Sequence, residues 1–300
     1  MSNFIAPEGL HLSRIVFGVM NWGVWGHDLS SEGMLRLITQ SMELGVTSFD
    51  HADIYGHYTT EATFGKALRG QSSLRSKMEL VTKCGIKLVT PNRPSHKIKS
   101  YDTSREHIIQ STEQSLRNLQ TDYIDLLLIH RPSPLMNYAE IAEAFEELKW
   151  AGKVRFFGVS NFSAIQFEAM NKYFPLVTNQ VEASLLNTTA FFDGTIDTCM
   201  INRAVPMAWS PLGGGKVFKD LKDDSVQRVR KIATQIGEKY DASIDQILLA
   251  WLMKHPAQIR PVVGTARIER LESAAKAINI DLTREEWFEL LEASRGKEVA

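Results

Sequence analysis

Short apolar runs alternate along the chain with longer stretches in which apolar residues return every three or four positions. Ile15 to Val19, Val46 to Phe49, Met78 to Thr82, Ile124 to Ile129, Val154 to Val159, Leu176 to Asn179, Val205 to Trp209 and Pro261 to Val263 read as strands, eight in all. Between them Ile109, Thr112, Leu116 and Leu119 fall on one helical face, as do Ile141, Phe145 and Leu148, the period of a helix with one buried side. Strands and helices alternating in this way give βα units around a parallel sheet, and eight of them predict an α/β protein of the (β/α)8 TIM barrel class. Thr103 with Glu106, Ser163 with Gln166, Ser243 with Gln246 and Thr283 with Glu286 have capping-box spacing and mark helix starts.

Each end carries an addition. Phe4-Ile5-Ala6 and Leu10-His11-Leu12 flank a Pro-Glu-Gly turn and predict a short N-terminal hairpin, while Thr283 to Ser294 predicts an additional C-terminal helix. No low-complexity linker interrupts the pattern, so residues 1–300 read as a single barrel domain, a length such barrels commonly reach.

Composition narrows the partners. With 44% hydrophobic and 23% charged residues and a net charge of −1, the chain has no bulk field for nucleic acid or an anionic membrane surface. Cys84 and Cys199 stand far apart, so neither a disulfide framework nor cysteine-based metal spacing is expected. The first residues lack a basic segment followed by an apolar core, and no long apolar stretch occurs. A cytoplasmic protein acting on a small molecule is the expectation; the oligomeric state is not legible.

In a parallel barrel, side chains at the C-terminal strand ends converge on one mouth. Asp50, with Tyr55 five positions on, Lys83 and His130 all lie at or just beyond the ends of apolar runs, so their spacing predicts one shared site. His51, Asp53 and His57 form a tempting metal set beside Asp50, but successive strand residues point to opposite faces. No metal is expected, and a metal-dependent hydrolase is the weaker alternative. Neither a Gly-x-Gly-x-x-Gly after the first strand nor a Gly-x-x-x-x-Gly-Lys-Ser/Thr is present, so any nucleotide must be held by the barrel's own loops.

Taken together, Phe49-Asp50-x-Ala52-x-x-Tyr55-Gly56, Lys83, Leu-Ile-His130-Arg-Pro132, Gly158-Val159-Ser160-Asn161-Phe162 and Asn179-Gln180-Val181-Glu182 resemble the ordered landmarks of the aldo-keto reductase superfamily, and within it the bacterial YdhF-like oxidoreductases. The resemblance implies reversible, nicotinamide-dependent reduction of an aldehyde or ketone. Such a reaction needs a proton donor at the developing alkoxide, and Tyr55 is the candidate. A phenol titrates near 10, and the resemblance gives Lys83 the task of tuning it, Asp50 that of holding Lys83, and His130 that of orienting the carbonyl. The same resemblance permits a regulatory module that keeps the cofactor with little turnover.

It also implies a cofactor site. Ser160, Asn161 and Gln180 are expected to bind the nicotinamide carboxamide, and Trp209 to stack on the ring. Ser210, Leu212, Gly213, Gly214 and Lys216 belong to a loop resembling the one that closes over the pyrophosphate, where glycines admit close approach of backbone N–H groups. Met20 and Asn21 sit where the family approaches nicotinamide, although they depart from its commoner small or Thr-containing pattern. Trp22 and Tyr58 are candidate substrate walls along with His130. Gly264, Thr265, Arg267 and Arg270 follow the eighth strand, where the family binds the adenosine 2′-phosphate. An Arg fork at a helix start suits that group, so NADPH is the expected cofactor.

Overall fold

The computed structural model describes residues 9–300. Eight parallel strands close into a barrel: β1 Val16–Gly18, β2 Ser48–Asp50, β3 Glu79–Cys84, β4 Ile124–Ile129, β5 Val154–Ser160, β6 Asn179–Glu182, β7 Met207–Trp209 and β8 Arg260–Val263. Neighbours in the barrel follow chain order, and β1 shuts it against β8 with Val16 opposite Val262 and Phe17 opposite Val263. The β/α barrel read from the periodicity is the fold observed. The hairpin expected at residues 4–12 falls mostly outside the described residues. Among those described, no helix is long and apolar enough to cross a membrane.

Most boundaries match the apolar runs, with one instructive slip. The apolar pattern places the sixth strand over Leu176 to Asn179, yet the ladder covers Asn179–Glu182, in register with Val159 and Ser160. Hydrophobicity pulls the expected strand upstream because Asn179 and Gln180 are buried polar residues. Asn179 bridges the Phe162 backbone, its Nδ2 donating to Phe162 O at 2.8 Å. The helix expected to be capped by Thr103 instead starts at Arg105 and uses Ser104, whose hydroxyl accepts from His107 N at 3.3 Å. The boxes at Ser163 and Thr283 form as expected, and at Ser243 the backbone N donates to Gln246 Oε1 at 3.0 Å.

The lower lumen is filled by Val16, Val81, Leu126, Leu128, Val177, Met207 and Val262, with Leu10 among them. This apolar plug leaves the opposite, C-terminal end of the strands for polar residues. Gly158 keeps the wall thin there, since a Cβ on it would lie 2.5 Å from Thr178 Cγ2 and 2.9 Å from Leu128 Cδ2. Beyond β8 the C-terminal helix Arg284–Arg295 is locked on by a parallel stack of Trp251 and Trp287 at 4.8 Å. Each of these indoles donates its N–H to the other residue's carbonyl, at 3.0 and 3.1 Å.

At the strand starts a buried charge network ties β3, β4 and β5. Arg75 donates to Asp125 Oδ2 at 2.8 Å, to the carbonyls of Met78 and Tyr123 at 3.0 and 2.7 Å, and to Thr121 Oγ1 at 2.8 Å. Asp125 also accepts from Leu80 N at 2.9 Å and from Arg155 at 3.1 Å. The two guanidiniums lie over the Tyr123 ring at 3.9 and 3.8 Å, a contact that adds cation–π attraction.

Candidate active site

Tyr55 leaves the end of β2 on a strained turn. Gly56, His57 and Tyr58 all adopt positive φ, at 58°, 57° and 70°, a conformation that costs a side-chain-bearing residue about 1–2 kcal/mol. Gly56 is required twice over, because a Cβ there would also sit 2.4 Å from Thr60 Oγ1. The strain is offset by anchors from the loop after β3. Tyr58 Oη donates to Ile86 O at 3.2 Å and accepts from Leu88 N at 2.9 Å, and Asn92 donates to His57 O at 2.8 Å. That loop carries a two-stranded hairpin, Ile86–Lys87 against Ser100–Tyr101, which the apolar pattern did not announce.

At the centre lies the Lys83 ammonium, fully buried. It donates to both Asp50 oxygens at 2.7 and 2.8 Å, to His51 O at 2.6 Å and to Tyr55 Oη at 3.2 Å. Gln180 donates to Asp50 Oδ1 at 2.8 Å, so β6 contributes to the same knot. Desolvation works against the Lys83 charge, but Asp50 and Tyr55 together hold its pKa above the ordinary lysine value. Burial likewise raises the Tyr55 phenol, with Lys83 pulling it down and Asp50 pushing it up. Tyr55 is therefore a protonated hydroxyl at neutral pH.

His130 completes the pocket, its ring 6.2 Å from that of Tyr55 and near-perpendicular to it. Its Nδ1 is buried without a partner. Desolvation, then the charges of Lys83, Arg131 and Lys99, hold its pKa well below 6.5, so it is a neutral imidazole. Behind the knot His51 is fully buried with both ring nitrogens unpartnered, and burial with the nearby Lys83 pushes its pKa down to about 3. Asp53 is buried too, its carboxyl raised by desolvation and by Glu61. His57, by contrast, is exposed. Among the described residues no three His, Cys, Asp or Glu side chains are gathered as a metal would need.

The residues expected at the nicotinamide form one network. Ser160 Oγ donates to Gln180 O at 2.8 Å, Asn161 Nδ2 donates to Ser160 Oγ at 2.8 Å, and the Trp209 indole donates to Asn161 Oδ1 at 2.9 Å. This fixes the Trp209 ring by its edge. Farther along, Gly213, Gly214 and Gly215 have φ of 59°, 63° and 85°, three consecutive left-handed residues that only glycine adopts readily. Ser210 O accepts from Gly213 N at 2.8 Å, Leu212 packs against the core, and Lys216 is exposed. Thr265 Oγ1 accepts from Arg267 N at 3.1 Å, and the helix Ile268–Lys276 starts with no side-chain cap. Arg267 and Arg270 are exposed at that start. Asn21 reaches across to Gly264 O at 3.5 Å, while Met20 is exposed.

One expectation is corrected. Trp22 is no substrate wall: it is fully buried, donates to Thr265 O at 2.7 Å and packs edge-on against Phe17 at 4.8 Å. Tyr58, partly exposed, bonds the hairpin through its hydroxyl and so anchors the Tyr55 turn. The aromatic at the mouth is Trp25, 6.0 Å from the Tyr55 ring and edge-on to His57 at 5.4 Å. Its only sequence signal was a second tryptophan in the loop after β1.

Comparison with known proteins agrees with this geometry. Residues 14–295 match the model of the Aldo/keto reductase family. The uncharacterized oxidoreductase YcsN of Bacillus subtilis is 47% identical over the full length of both chains, and the oxidoreductase YdhF of Escherichia coli is 45% identical over 98% of each. A 6-dehydroglucose reductase of Agrobacterium fabrum is 41% identical over the whole of both chains. A crystal structure of a thermostable aldo-keto reductase with the inhibitor epalrestat superposes with a TM-score of 0.80 at 28% identity, covering 98% of this chain and 99% of that one. A barrel with these polar strand ends and this full-length similarity belongs to the aldo/keto reductase family, and the chain is an oxidoreductase of that family.

Proposed function

We propose that the protein reduces aldehydes or ketones to alcohols with NADPH, Tyr55 supplying the proton. The observation that carries this reading is the buried Lys83 knot, which places a protonated phenol 3.2 Å from an ammonium held by a carboxylate. The bound cofactor would supply a hydride to the carbonyl carbon. Tyr55 and His130 then serve the oxygen. Both present neutral hydrogen-bond groups to it, and Tyr55 Oη gives up its proton as negative charge develops there. Lys83, remaining charged, stabilises the phenolate left behind, and Asp50 keeps the ammonium from being a lone buried charge.

The donor set suits a dinucleotide. Trp209 offers a ring fixed at its edge, Ser160, Asn161 and Gln180 offer amide and hydroxyl groups, and the Gly213–Gly215 segment offers a backbone without side chains. The uncapped helix start with Arg267 and Arg270 suits a 2′-phosphate, which favours NADPH over NADH. Tyr55→Phe is expected to lower turnover of an activated aldehyde by about 10²–10⁴-fold while the dissociation constant for NADPH stays within about twofold of the native value. Stopped-flow measurement of reduced-cofactor oxidation checks this; unchanged turnover removes Tyr55 as the donor.

A further inference from the structure

One stretch of the loop after β3, from Ile86 to His96, closes on the two residues that follow Gly56. The Tyr58 hydroxyl is engaged twice, donating to Ile86 O at 3.2 Å and accepting from Leu88 N at 2.9 Å. Its ring lies under the Arg93 guanidinium at 4.3 Å and meets His96 edge-on at 6.2 Å. His96 Nδ1 is in turn 3.0 Å from Leu88 O, and Asn92 Nδ2 donates to His57 O at 2.8 Å. Two turns inside the stretch, Arg93 N to Thr90 O at 2.9 Å and His96 N to Arg93 O at 3.0 Å, give this clamp a shape of its own.

What is clamped is strained backbone. His57 and Tyr58 carry side chains yet have φ of 57° and 70°, and such residues persist only where their surroundings over-determine them. Tyr55 belongs to the same turn, its carbonyl accepting from Thr59 N at 3.2 Å and its N–H donating to Ala52 O at 3.1 Å. A tilt of that backbone is magnified at the far end of the ring, where Oη lies 3.2 Å from Lys83 Nζ. This is already the long end of the hydrogen-bond range, so a further shift of about 1 Å breaks the contact.

We infer that Tyr58 and Asn92 are positioning residues, which tie the strained turn to the loop after β3 and thereby set the distance between Tyr55 Oη and Lys83 Nζ. The inference rests on the reading of Tyr55 as the proton donor. Released from the clamp, the turn relaxes toward right-handed φ and the phenol leaves the ammonium. Proton delivery then slows, while the groups proposed to hold the cofactor, on β5, β6, β7 and after β8, stay in place.

The test is a double-mutant cycle read by single-turnover oxidation of bound NADPH with 4-nitrobenzaldehyde, in the full-length protein and in its Tyr55→Phe variant. Tyr58→Phe keeps the ring and deletes both hydroxyl bonds, and is expected to slow the step by roughly ten- to hundredfold, the cost of about 1 Å of misplacement. Asn92→Ala changes an exposed side chain that folding does not depend on, and should slow it by about two- to tenfold. In both variants the dissociation constant for NADPH should stay within about twofold of the native value. With Tyr55→Phe there is no phenolic proton left to position, so neither substitution should alter the residual rate by more than about twofold. Native rates in both single variants overturn the clamp and leave Tyr55 as the donor. Equal slowing in the two backgrounds, or a loss of NADPH affinity in step with the rate, also overturns it, because the contacts would then act on something other than Tyr55. A native rate in Tyr55→Phe itself overturns the donor reading, and the clamp with it.

Discussion

The two ends of the barrel each bury a cation against a carboxylate, and they do so differently. At the strand starts Arg75 and Asp125 are wrapped in backbone and hydroxyl partners from neighbouring strands, with the Arg75 ε and both η nitrogens engaged. At the strand ends Lys83 and Asp50 are as deeply buried, yet polar atoms are left over: both nitrogens of His51, Nδ1 of His130 and Oδ1 of Asp53. Buried polar groups are normally satisfied, and each exception has a cost. A saturated network resists change and holds the strands in place. An unsaturated one keeps hydrogen-bonding capacity for a ligand. Arg260 Nε, at the start of β8, is also without a partner, but it lies outside the Arg75 network, so the contrast fits a structural role for that network and the proposed chemistry at the Lys83 end.

Lys83→Met is the strongest way to test that division. It removes the group proposed to stabilise the phenolate and leaves Asp50 buried without its cation. Turnover at saturating cofactor is expected to fall by about 10²–10⁴-fold, with a stability loss of about 3–5 kcal/mol and little change in NADPH affinity. Separate measurement of kcat and the cofactor dissociation constant decides it: a variant impaired chiefly in cofactor affinity would move Lys83 out of the catalytic centre.

Arg75→Ala is the mirror experiment. It leaves Asp125 with Arg155 and Leu80 N as partners and should lower unfolding free energy by about 1–3 kcal/mol, seen in urea denaturation, while kcat of the folded fraction stays within about twofold of the native value. A large fall in kcat would show that the lower network reaches the mouth, and the comparison would fail.

His51 sharpens the contrast through pH. Its folded value of about 3 lies below the usual 6.5, so on acidification the unfolded chain takes up a proton that the folded chain refuses. The stabilisation present above pH 6.5 is lost as pH falls toward 3, by on the order of 2–3 kcal/mol at pH 4.5. Asp53 and Glu61, both raised by burial, act in the opposite sense, so the effect must be read as a difference. His51→Leu should lose less stability between pH 7 and 4.5 than the native protein does, by that amount. A pH-independent difference would mean that His51 is not held neutral.

The smallest expected effect lies at the exposed end of the proposed cofactor cradle. Replacing Arg267 and Arg270 together by alanine should weaken NADPH binding by roughly ten- to hundredfold, the range for a lost charge-assisted contact, and leave NADH within about twofold. Fluorescence titration separates the two cofactors. Equal weakening would indicate damage to the helix start and not loss of a 2′-phosphate clamp.

How much of this is legible in the sequence depends on distance along the chain. Apolar runs and helical faces are local, so the barrel and most of its strands can be read directly. The strand ends at Asp50, Lys83 and His130 follow from the same pattern, because parallel strands in a closed sheet all end at one mouth. Asn179 and Gln180 defeat it: a polar strand residue gives no apolar signal, and only the ladder to Val159 and Ser160 shows where β6 lies.

What the sequence by itself determined is therefore the order of strands and helices and the set of polar groups delivered to one end. Tertiary structure decided which way the loop side chains point and how they titrate. Trp22 turns into the core because Thr265 O, 243 residues away, accepts its N–H, and Trp25 is left at the mouth. Tyr58 becomes an anchor because the hairpin at Ile86 and Leu88 closes on its hydroxyl. The protonation of Tyr55 and His130 is set by burial and by Lys83. Each outcome depends on partners and dielectric surroundings that exist only when distant segments are packed together, and residue spacing carries no record of them.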